Sequence, residues 1–524
     1  MAKRRDTSGL GWWALAGLLV GLAGLGASQL VAELFSVRET PLESAFDAVA
    51  GLTPGSFAQA TAEFLATLVE PTLVLLMATL MGLAFVAGGA LWRGARWAAL
   101  VVWGLLALGD AALGVALQGW GITQVLPGVT ALVVWAGLMA LLDPSLRRYE
   151  REAEQAEAGV ATGGRPARRS VLRLFAAVCA AALAGGGAAR ALERRRSAVD
   201  ESRKLLRIPG ATRPRVPGQA LVDVEGVTPW QTPNREFRVA STGLRTPTVE
   251  ASSWRLRIHG LVTTPLEISY DDLLDLGLVE SWATVASVRD EVGGASLGNA
   301  WWSGVPTRAL LERAGVWKTA DAVRQVSADG WSCATPLQAL TDERPAMLAV
   351  AMNGEALPLE HGFPVRTLVP GLYTETGDCR WVVEWEVTRF ADVRAQEDAP
   401  AWSRRAPVRL GSRIDVPASG SRVEAGTVAL AGVAWQPGVG VSRVQYSLDG
   451  GPWRDALVAQ PGTPETWAQW RAEARLAPGD HDLRVRAVNR FGEVQTSVER
   501  DPLPNGVTGW HTVAFRAEAP DDQD

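Results

Sequence analysis

Cysteine and histidine are scarce in this chain, which limits the metal sites that it can build. Among 524 residues there are three cysteines, Cys179, Cys333 and Cys379, and four histidines. The cysteines form no Cys-x-x-Cys pair and match no spacing typical of a c-type haem, an iron–sulfur cluster or a zinc site. Cys333 and Cys379 either pair or stay free, and isolated cysteines in a large domain are more often free. We therefore expect no haem, no iron–sulfur cluster and no zinc.

The chain also lacks an excess of positive charge, and it has long stretches with little charge of either sign. Its formal net charge of −5 gives no reason to expect a nucleic-acid partner. Hydrophobic residues make up 48% of the chain and charged residues only 20%, which points to membrane segments. A helix needs about 20 apolar residues to cross a bilayer. Five runs meet this requirement: Leu10–Ala32, Pro71–Trp92, Trp97–Leu117, Ile122–Leu142 and Val171–Ala189.

Basic residues between these runs predict the orientation of the membrane region. Arginines favour the cytoplasmic side, and here they fall on alternate connections, at Arg93 and Arg96 and again throughout 143–169. This pattern places the N terminus in the cytoplasm and the chain after the fifth run outside it. We therefore predict four transmembrane helices in 1–142, a cytoplasmic basic loop over 143–169, and a fifth helix in 170–190.

The fifth run begins with a second signal. The sequence Ala167-Arg168-Arg169-Ser170-Val171-Leu172-Arg173 is typical of a twin-arginine export signal placed inside the chain. Such a signal exports a domain that has already folded. The alternative is that these arginines are the ordinary basic flank of a membrane helix.

The rest of the chain changes character twice. A basic, proline-bearing linker over 191–225 precedes a mixture of short helices and strands over 226–400, which is an α+β pattern. Within it, Trp254–Gly260 alternates apolar and charged residues like a half-buried strand. Over 405–516, short strands separated by turn signals predict an immunoglobulin-like β-sandwich, and an acidic tail occupies 517–524. The predicted sandwich strands include Thr427–Trp435, Ser442–Leu448, Trp470–Leu476 and His481–Ala487, with a hairpin at Asp449-Gly450-Gly451.

Two stretches of the α+β region stand out. Thr284–Val305 contains Glu291-Val292-Gly293-Gly294 and Gly298-Asn299, and glycines this close suggest backbone pressed against a bulky group. The run His361-Gly362-Phe363-Pro364-Val365-Arg366 places a histidine and an arginine on either side of a proline turn. Together these motifs resemble the sulfite oxidase family of molybdopterin-dependent oxidoreductases, over roughly 228–515.

The resemblance implies a molybdopterin-binding domain over 226–400 and a set of ligands for its cofactor. Arg366 suits a phosphate, because its planar guanidinium can donate two parallel hydrogen bonds. The resemblance also carries over an aspartate in the Ser327–Trp331 segment, and it implies a C-terminal domain that mediates dimerisation. The implied cofactor-binding residues are Asn234, Phe237, Arg238, Gly293, Gly294, Asn299, His361 and Arg366.

The sequence departs from the family pattern at cofactor positions. Ser287 stands where the family has the cysteine thiolate that ligates molybdenum, Glu236 replaces an aromatic residue, and Arg380 replaces a lysine. A serine hydroxyl is harder and far less acidic than a thiol, so it ligates only if the metal removes its proton. We predict Ser287 as the metal ligand, with Asp329 and Arg380 completing the catalytic set. Cys379 is a conceivable but unplaced substitute.

These features predict a multi-domain protein with an all-α bundle of five transmembrane helices, an α+β molybdopterin domain of sulfite oxidase type, and an immunoglobulin-like sandwich. The expected activity is two-electron oxo transfer on a small extracytoplasmic substrate, with electrons exchanged through a separate carrier. The cofactor is molybdopterin, with metal occupancy dependent on Ser287. The alternative is a non-catalytic, membrane-tethered scaffold or binding protein that keeps the fold. A homodimer through the C-terminal domain is a further expectation.

Overall fold

The computed structural model describes residues 10–34, 78–118, 122–157, 165–237, 246–393 and 407–519, and the chain divides into two compact units. The first unit extends to Ser197 and is helical in the part described. The helices are α1 (Leu10–Leu34), α2 (residues 78–94), α3 (Arg96–Gln118), α4 (Ile122–Glu157) and α5 (Arg165–Leu205), the last of which continues into the second unit.

Aromatic side chains and glycines pack the helices of the first unit. Trp13, Phe85, Trp103 and Trp135 are buried in one cluster. A Cβ atom on Gly17 would lie 2.6 Å from the Cα of Gly89, so α1 and α2 approach backbone to backbone. Close approach through small residues is typical of helices that associate in a bilayer.

Three helices of the described residues are long and apolar enough to cross a membrane: Leu10–Ala32, Val125–Gln155 and Arg168–Leu205. The predicted count of five spans is therefore not confirmed. Helices α4 and α5 also continue through residues 143–157 and 191–205, where the sequence predicts part of a loop and part of a linker. The charged residues are compatible with a helix, because ion pairs such as Asp143–Arg147, at 3.0 Å, have the four-residue spacing that supports one.

Two five-stranded sheets form the α+β part of the second unit. The first has the strand order β2-β1-β10-β5-β6, and β1 is parallel to β10. Alternating burial along β1 confirms the strand predicted from Trp254–Gly260. Its strands are β1 (Arg255–Gly260), β2 (Leu266–Ser269), β5 (Ala322–Ser327), β6 (Ser332–Pro336) and β10 (Val382–Thr388).

The second sheet has the order β3-β4-β7-β8, with β9 also paired to β7. Its strands are β3 (Val279–Ala286), β4 (Leu297–Pro306), β7 (Met347–Met352), β8 (Glu355–Ala356) and β9 (Arg366–Leu368). Short helices connect the strands of both sheets, which confirms the α+β prediction. They are α6 (Tyr270–Leu274), α7 (Thr307–Ala314), α8 (Leu337–Thr341) and α9 (Thr374–Gly377).

Eight further strands form an all-β domain around a core that includes Leu430, Trp470 and Phe515. The four predicted strands are confirmed, and β14 and β15 pair as the hairpin predicted at Asp449-Gly450-Gly451. Asp449 and Gly450 both have positive φ, as a tight hairpin turn requires. The strands are β11 (Gly411–Val416), β12 (Arg422–Glu424), β13 (Gly426–Trp435), β14 (Val441–Leu448), β15 (Arg454–Val458), β16 (Ala468–Leu476), β17 (Gly479–Asn489) and β18 (His511–Glu518).

A pair of tryptophans joins the two parts of the second unit. The indole Nε1 of Trp467 donates to the carbonyl of Trp230 at 2.9 Å, and that of Trp230 donates to the carbonyl of Trp467 at 3.2 Å. Both side chains are fully buried. Trp230 belongs to the same buried cluster as Ala286 and Leu297, so this contact lies near the strand ends that flank the predicted cofactor segment.

Candidate functional site

A cavity of about 210 Å³ lies beside the end of β3, the turn at 361–366 and helix α9. It brings together residues that are distant in the sequence. Six of the predicted site residues line it: Phe237, Ser287, Asp329, His361, Arg366 and Arg380. The three predicted catalytic residues therefore share one cavity with three of the predicted cofactor ligands.

Ser287 directly follows β3, and its hydroxyl is already engaged. It donates to the Oε1 atom of Glu375 at 2.5 Å, and the backbone N–H of Val288 donates to Oε2 of the same carboxylate at 2.9 Å. Only 4% of the Glu375 surface is exposed. This glutamate was not among the predicted site residues. No spacing signal pointed to it, because 88 positions separate it from Ser287.

Arg366 forms a buried ion pair with Asp378. Its Nε donates to Oδ1 at 2.6 Å, its Nη2 donates to Oδ2, and both side chains are 5% exposed. The guanidinium also lies over the ring of Trp302 at 5.1 Å. The Nε and Nη2 donors of Arg366, which could bind a phosphate, are therefore already bonded to the Asp378 carboxylate.

His361 is neutral in this environment. Its Nε2 lies 2.9 Å from the backbone oxygen of Asn234, which only accepts, so Nε2 carries the hydrogen. Burial lowers the pKa of His361 to about 4. The ring meets Phe237 edge-on at 5.6 Å. Nδ1 is thus a hydrogen-bond acceptor.

Arg380 keeps a positive charge on the cavity wall. Burial, with a smaller contribution from Arg366, lowers its pKa to about 10, which still leaves it protonated at neutral pH. Its Nη1 donates to the carbonyl of Glu360 at 3.1 Å, and its guanidinium lies 4.8 Å from the ring centre of Trp381. Opposite charge comes from Asp329, whose Oδ1 accepts the backbone N–H of Trp331 at 3.0 Å.

Gly362 lets the 361–366 turn close against this arginine. Its φ of +109° lies in the region that favours glycine, and a Cβ atom there would lie 3.1 Å from both the Cα of Arg380 and the Cβ of Arg366. The turn therefore depends on a missing side chain to hold the two guanidinium-bearing segments together.

Other predicted cofactor residues point to protein partners. The Nδ2 of Asn299 donates to the carbonyl of Trp230 at 2.9 Å, and the Nδ2 of Asn353 donates to Oδ1 of Asn234 at 2.8 Å. A Cβ on Gly293 would lie 2.3 Å from the ring of His511, and one on Gly294 would lie 2.1 Å from Oδ1 of Asp290. The predicted cofactor residues Asn234, Gly293, Gly294 and Asn299 therefore do not line the cavity. Arg238 lies outside the described residues.

Neither buried cysteine offers a thiolate to this cavity. Burial raises the pKa of Cys333 to about 12 and that of Cys379 well above its usual value. Both are free thiols, and neither is among the residues that line the cavity. The oxygens of Ser287 and Glu375 are therefore the donors at the position predicted for the metal ligand.

The cavity suits a flat group with hydrogen-bonding edges, and its charged side chains are of both signs: Arg366 and Arg380 against Asp329, Glu375 and Asp378. Arg380 supplies a buried positive charge, His361 supplies a neutral ring nitrogen, and Trp331 and Trp381 supply aromatic walls. These side chains fit a pterin-type cofactor. The donor set near Ser287 fits a metal that takes its protein ligand from oxygen rather than from sulfur.

Two family models match the chain. Residues 243–395 match the oxidoreductase molybdopterin binding domain, and residues 412–485 match a bacterial Ig domain. The first covers most of the α+β part that holds the cavity. The second confirms the immunoglobulin-like prediction for the all-β domain.

Individual proteins match the same region. The chain is 35% identical over 147 residues to the uncharacterized oxidoreductase YuiH of Bacillus subtilis, covering 28% of this chain and 72% of that protein. It is 27% identical over 343 residues to human mitochondrial sulfite oxidase, covering 54% of this chain and 61% of the human protein. It thus spans about three fifths of the human enzyme. Among solved structures, the sulfane dehydrogenase SoxCD from Paracoccus pantotrophus aligns with a TM-score of 0.49 and 22% identity, over 61% of this chain and 91% of that one.

Proposed function

Because this chain belongs to the sulfite oxidase family of molybdopterin-binding oxidoreductases, we propose that it is a membrane-anchored enzyme that acts on a small extracytoplasmic substrate. The bound cofactor supplies two-electron oxo transfer. One observation carries the proposal: the predicted catalytic residues Ser287, Asp329 and Arg380 line a single cavity together with His361 and Arg366.

Some cavity residues would bind the cofactor or substrate through charge, and others through hydrogen bonds. Arg380 would hold an anionic part of the cofactor or a small anionic substrate, since its guanidinium is buried and remains charged. His361 would accept a hydrogen bond through Nδ1. Asp329, fixed by the Trp331 N–H, would accept from a ring N–H or from the substrate. Of the other predicted cofactor residues, Arg238 remains a proposed contact, whereas Asn234, Gly293, Gly294 and Asn299 do not line the cavity.

The membrane region supports the proposed location. Three helices of the described residues have the length and composition of membrane spans, and all three lie N-terminal to the residues that line the cavity. We propose that the N terminus is cytoplasmic, that Arg168 and Arg169 belong to a twin-arginine signal, and that the second unit lies outside the cytoplasm. We also propose a separate electron carrier and a homodimer through the C-terminal domain.

One observation favours a second candidate, a non-catalytic scaffold. Ser287 and Arg366, which are expected to face the cofactor, each have a buried carboxylate partner, Glu375 and Asp378. A fold that had lost its cofactor would gain stability from such pairs, because buried charges and hydroxyls need partners.

A turnover assay separates the two candidates. The full chain would be purified in detergent from cells grown with molybdate, then assayed with sulfite and an artificial electron acceptor, and with a sulfoxide and an artificial donor. The enzyme proposal predicts turnover in one direction, and an Arg380→Gln variant should lose at least about tenfold of kcat/KM. Absence of turnover in both assays, in folded protein that contains pterin without metal or neither of them, would support the scaffold.

A further inference from the structure

Ser287 and Glu375 form a buried pair in the wall of the cavity. The pair joins the end of β3 to helix α9, and 2.5 Å separates the serine Oγ from the Oε1 atom of the glutamate. Both side chains line the cavity, and both residues are buried. Ser287 is the predicted metal ligand. The hydrogen bonds of the pair therefore determine whether the Ser287 hydroxyl presents its hydrogen or an oxygen lone pair to the cavity.

Both oxygens of the Glu375 carboxylate accept hydrogen bonds. Oε1 accepts from the Ser287 hydroxyl, and Oε2 accepts from the Val288 N–H at 2.9 Å and from the Thr374 hydroxyl at 3.0 Å. The carboxylate is thus held in place by three donors from two segments. It is well placed to fix the rotamer of the serine.

The hydroxyl of Ser287 is only partly used. It has one hydrogen, which Glu375 accepts, and two lone pairs, one of which accepts the Arg289 N–H at 3.2 Å. One lone pair remains, on an oxygen that lines the cavity. With its hydrogen turned to Glu375, the serine presents an acceptor to the cavity rather than a donor.

We propose that Glu375 is the positioning residue of the metal-ligand oxygen. By accepting the Ser287 hydrogen, it leaves an oxygen lone pair for the cavity, where an oxygen would take the place of the thiolate found in the family. This inference rests on the proposed function, since it requires a metal-bearing cofactor in the cavity. Outer groups that orient a metal ligand commonly affect metal affinity about 10- to 100-fold.

The contact with Glu375 also favours serine over cysteine at position 287. A hydroxyl and a carboxylate attract each other through a charge-assisted hydrogen bond. A thiolate at the same position would stand beside the carboxylate, and two negative charges this close in a buried site repel strongly. Ser287→Cys alone therefore should not restore a sulfur ligand, whereas the same change combined with Glu375→Gln should.

The first test is Glu375→Gln in the full chain. Since the Val288 N–H must be accepted, the amide oxygen faces Val288 and the amide NH₂ faces Ser287, which turns the serine hydrogen towards the cavity. Molybdenum per chain, measured after dialysis, should fall about tenfold or more while the melting temperature falls only slightly. Glu465→Gln is the control, because Glu465 is also a buried glutamate but does not line this cavity, and it should retain the metal.

The second test reads the ligand atoms directly. X-ray absorption at the molybdenum edge should show only the cofactor's own sulfur atoms in the wild type and in Ser287→Cys, and one additional sulfur in the Ser287→Cys/Glu375→Gln double variant. The double variant should also regain the metal that Glu375→Gln loses, which keeps the test valid if the single variant folds poorly. An additional sulfur in Ser287→Cys alone, or full metal retention in Glu375→Gln, would overturn the inference.

The same samples separate this inference from the function on which it rests. Wild-type protein without molybdenum and pterin would refute both. Wild-type protein with molybdenum and pterin, but with a metal content that is indifferent to Glu375→Gln, would refute only the role of Glu375.

Discussion

The buried pair of Arg366 and Asp378 gives the sharpest prediction about stability. Asp378→Asn keeps the size of the side chain and one acceptor oxygen but removes the charge. Both members of the pair are 5% exposed, so the guanidinium would remain buried without its counter-charge. Breaking a buried pair by removing one partner costs about 3–5 kcal/mol, and the oxygen that remains places the expected loss near 3 kcal/mol. For a domain of this size, that loss lowers the melting temperature by about 6–12 °C.

The same substitution distinguishes a structural pair from one that also serves the cofactor. A phosphate bound at Arg366 would replace part of the lost negative charge. The melting temperature should therefore fall more in protein freed of its cofactor than in protein that carries it. Both forms would be melted in the same detergent, followed by near-UV circular dichroism, with pterin content measured on each sample.

A matched control comes from the pair formed by Arg344 and Asp342. Its geometry is also bidentate, with Nε donating to Oδ1 at 2.8 Å and Nη2 donating to Oδ2 at 2.8 Å, but its side chains are 28% and 29% exposed. Asp342→Asn should cost less than about 1 kcal/mol, because water already screens the pair. If the two variants lose the same free energy of unfolding, burial is not the reason that the Arg366–Asp378 pair stabilises the protein.

Three further predictions concern single groups. Gly362→Ala should destabilise the second unit by about 1–3 kcal/mol, because it places a Cβ at positive φ and 3.1 Å from Arg380; melting at neutral pH checks this, and an unchanged midpoint would contradict it. Burial holds the pKa of His361 near 4, below its unfolded value of 6.5, so the unfolded chain binds more protons between these values. Stability should therefore fall by about 3 kcal/mol as the pH drops from 6.5 to 4, and His361→Gln should remove that part of the pH dependence. Burial raises the pKa values of Cys333 and Cys379, so iodoacetamide at pH 8 should label neither in the folded protein; rapid labelling, detected by mass spectrometry, would contradict this.

Local patterns in the sequence predicted much of the second unit. Apolar and polar residues alternate in Trp254–Gly260 and in the strands after Arg413, because one face of each strand is buried. The residue types Asp449 and Gly450 are themselves the signal for a tight turn with positive φ. Such signals lie within a few positions of each other. They can therefore be found without knowing what packs against them.

Contacts between distant segments could not be predicted in this way. The partner of Ser287 is 88 residues away, and the partner of Arg366 lies in a run that resembles no known motif closely. The glycines show the same limit. They were expected to lie against a bulky group, and Gly298 does so, but the group is the ring of Phe237, 2.6 Å from where its Cβ would be. Residue type indicated a close approach without indicating the neighbour.

The cofactor content of the native protein shows whether the cavity beside Ser287 holds a molybdopterin cofactor. The full chain, purified in mild detergent from its own membranes, would be analysed for molybdenum by mass spectrometry and for pterin by the fluorescence of its oxidised derivative. We expect about one molybdenum and one pterin for each chain. Protein that is folded by circular dichroism but contains neither would contradict it.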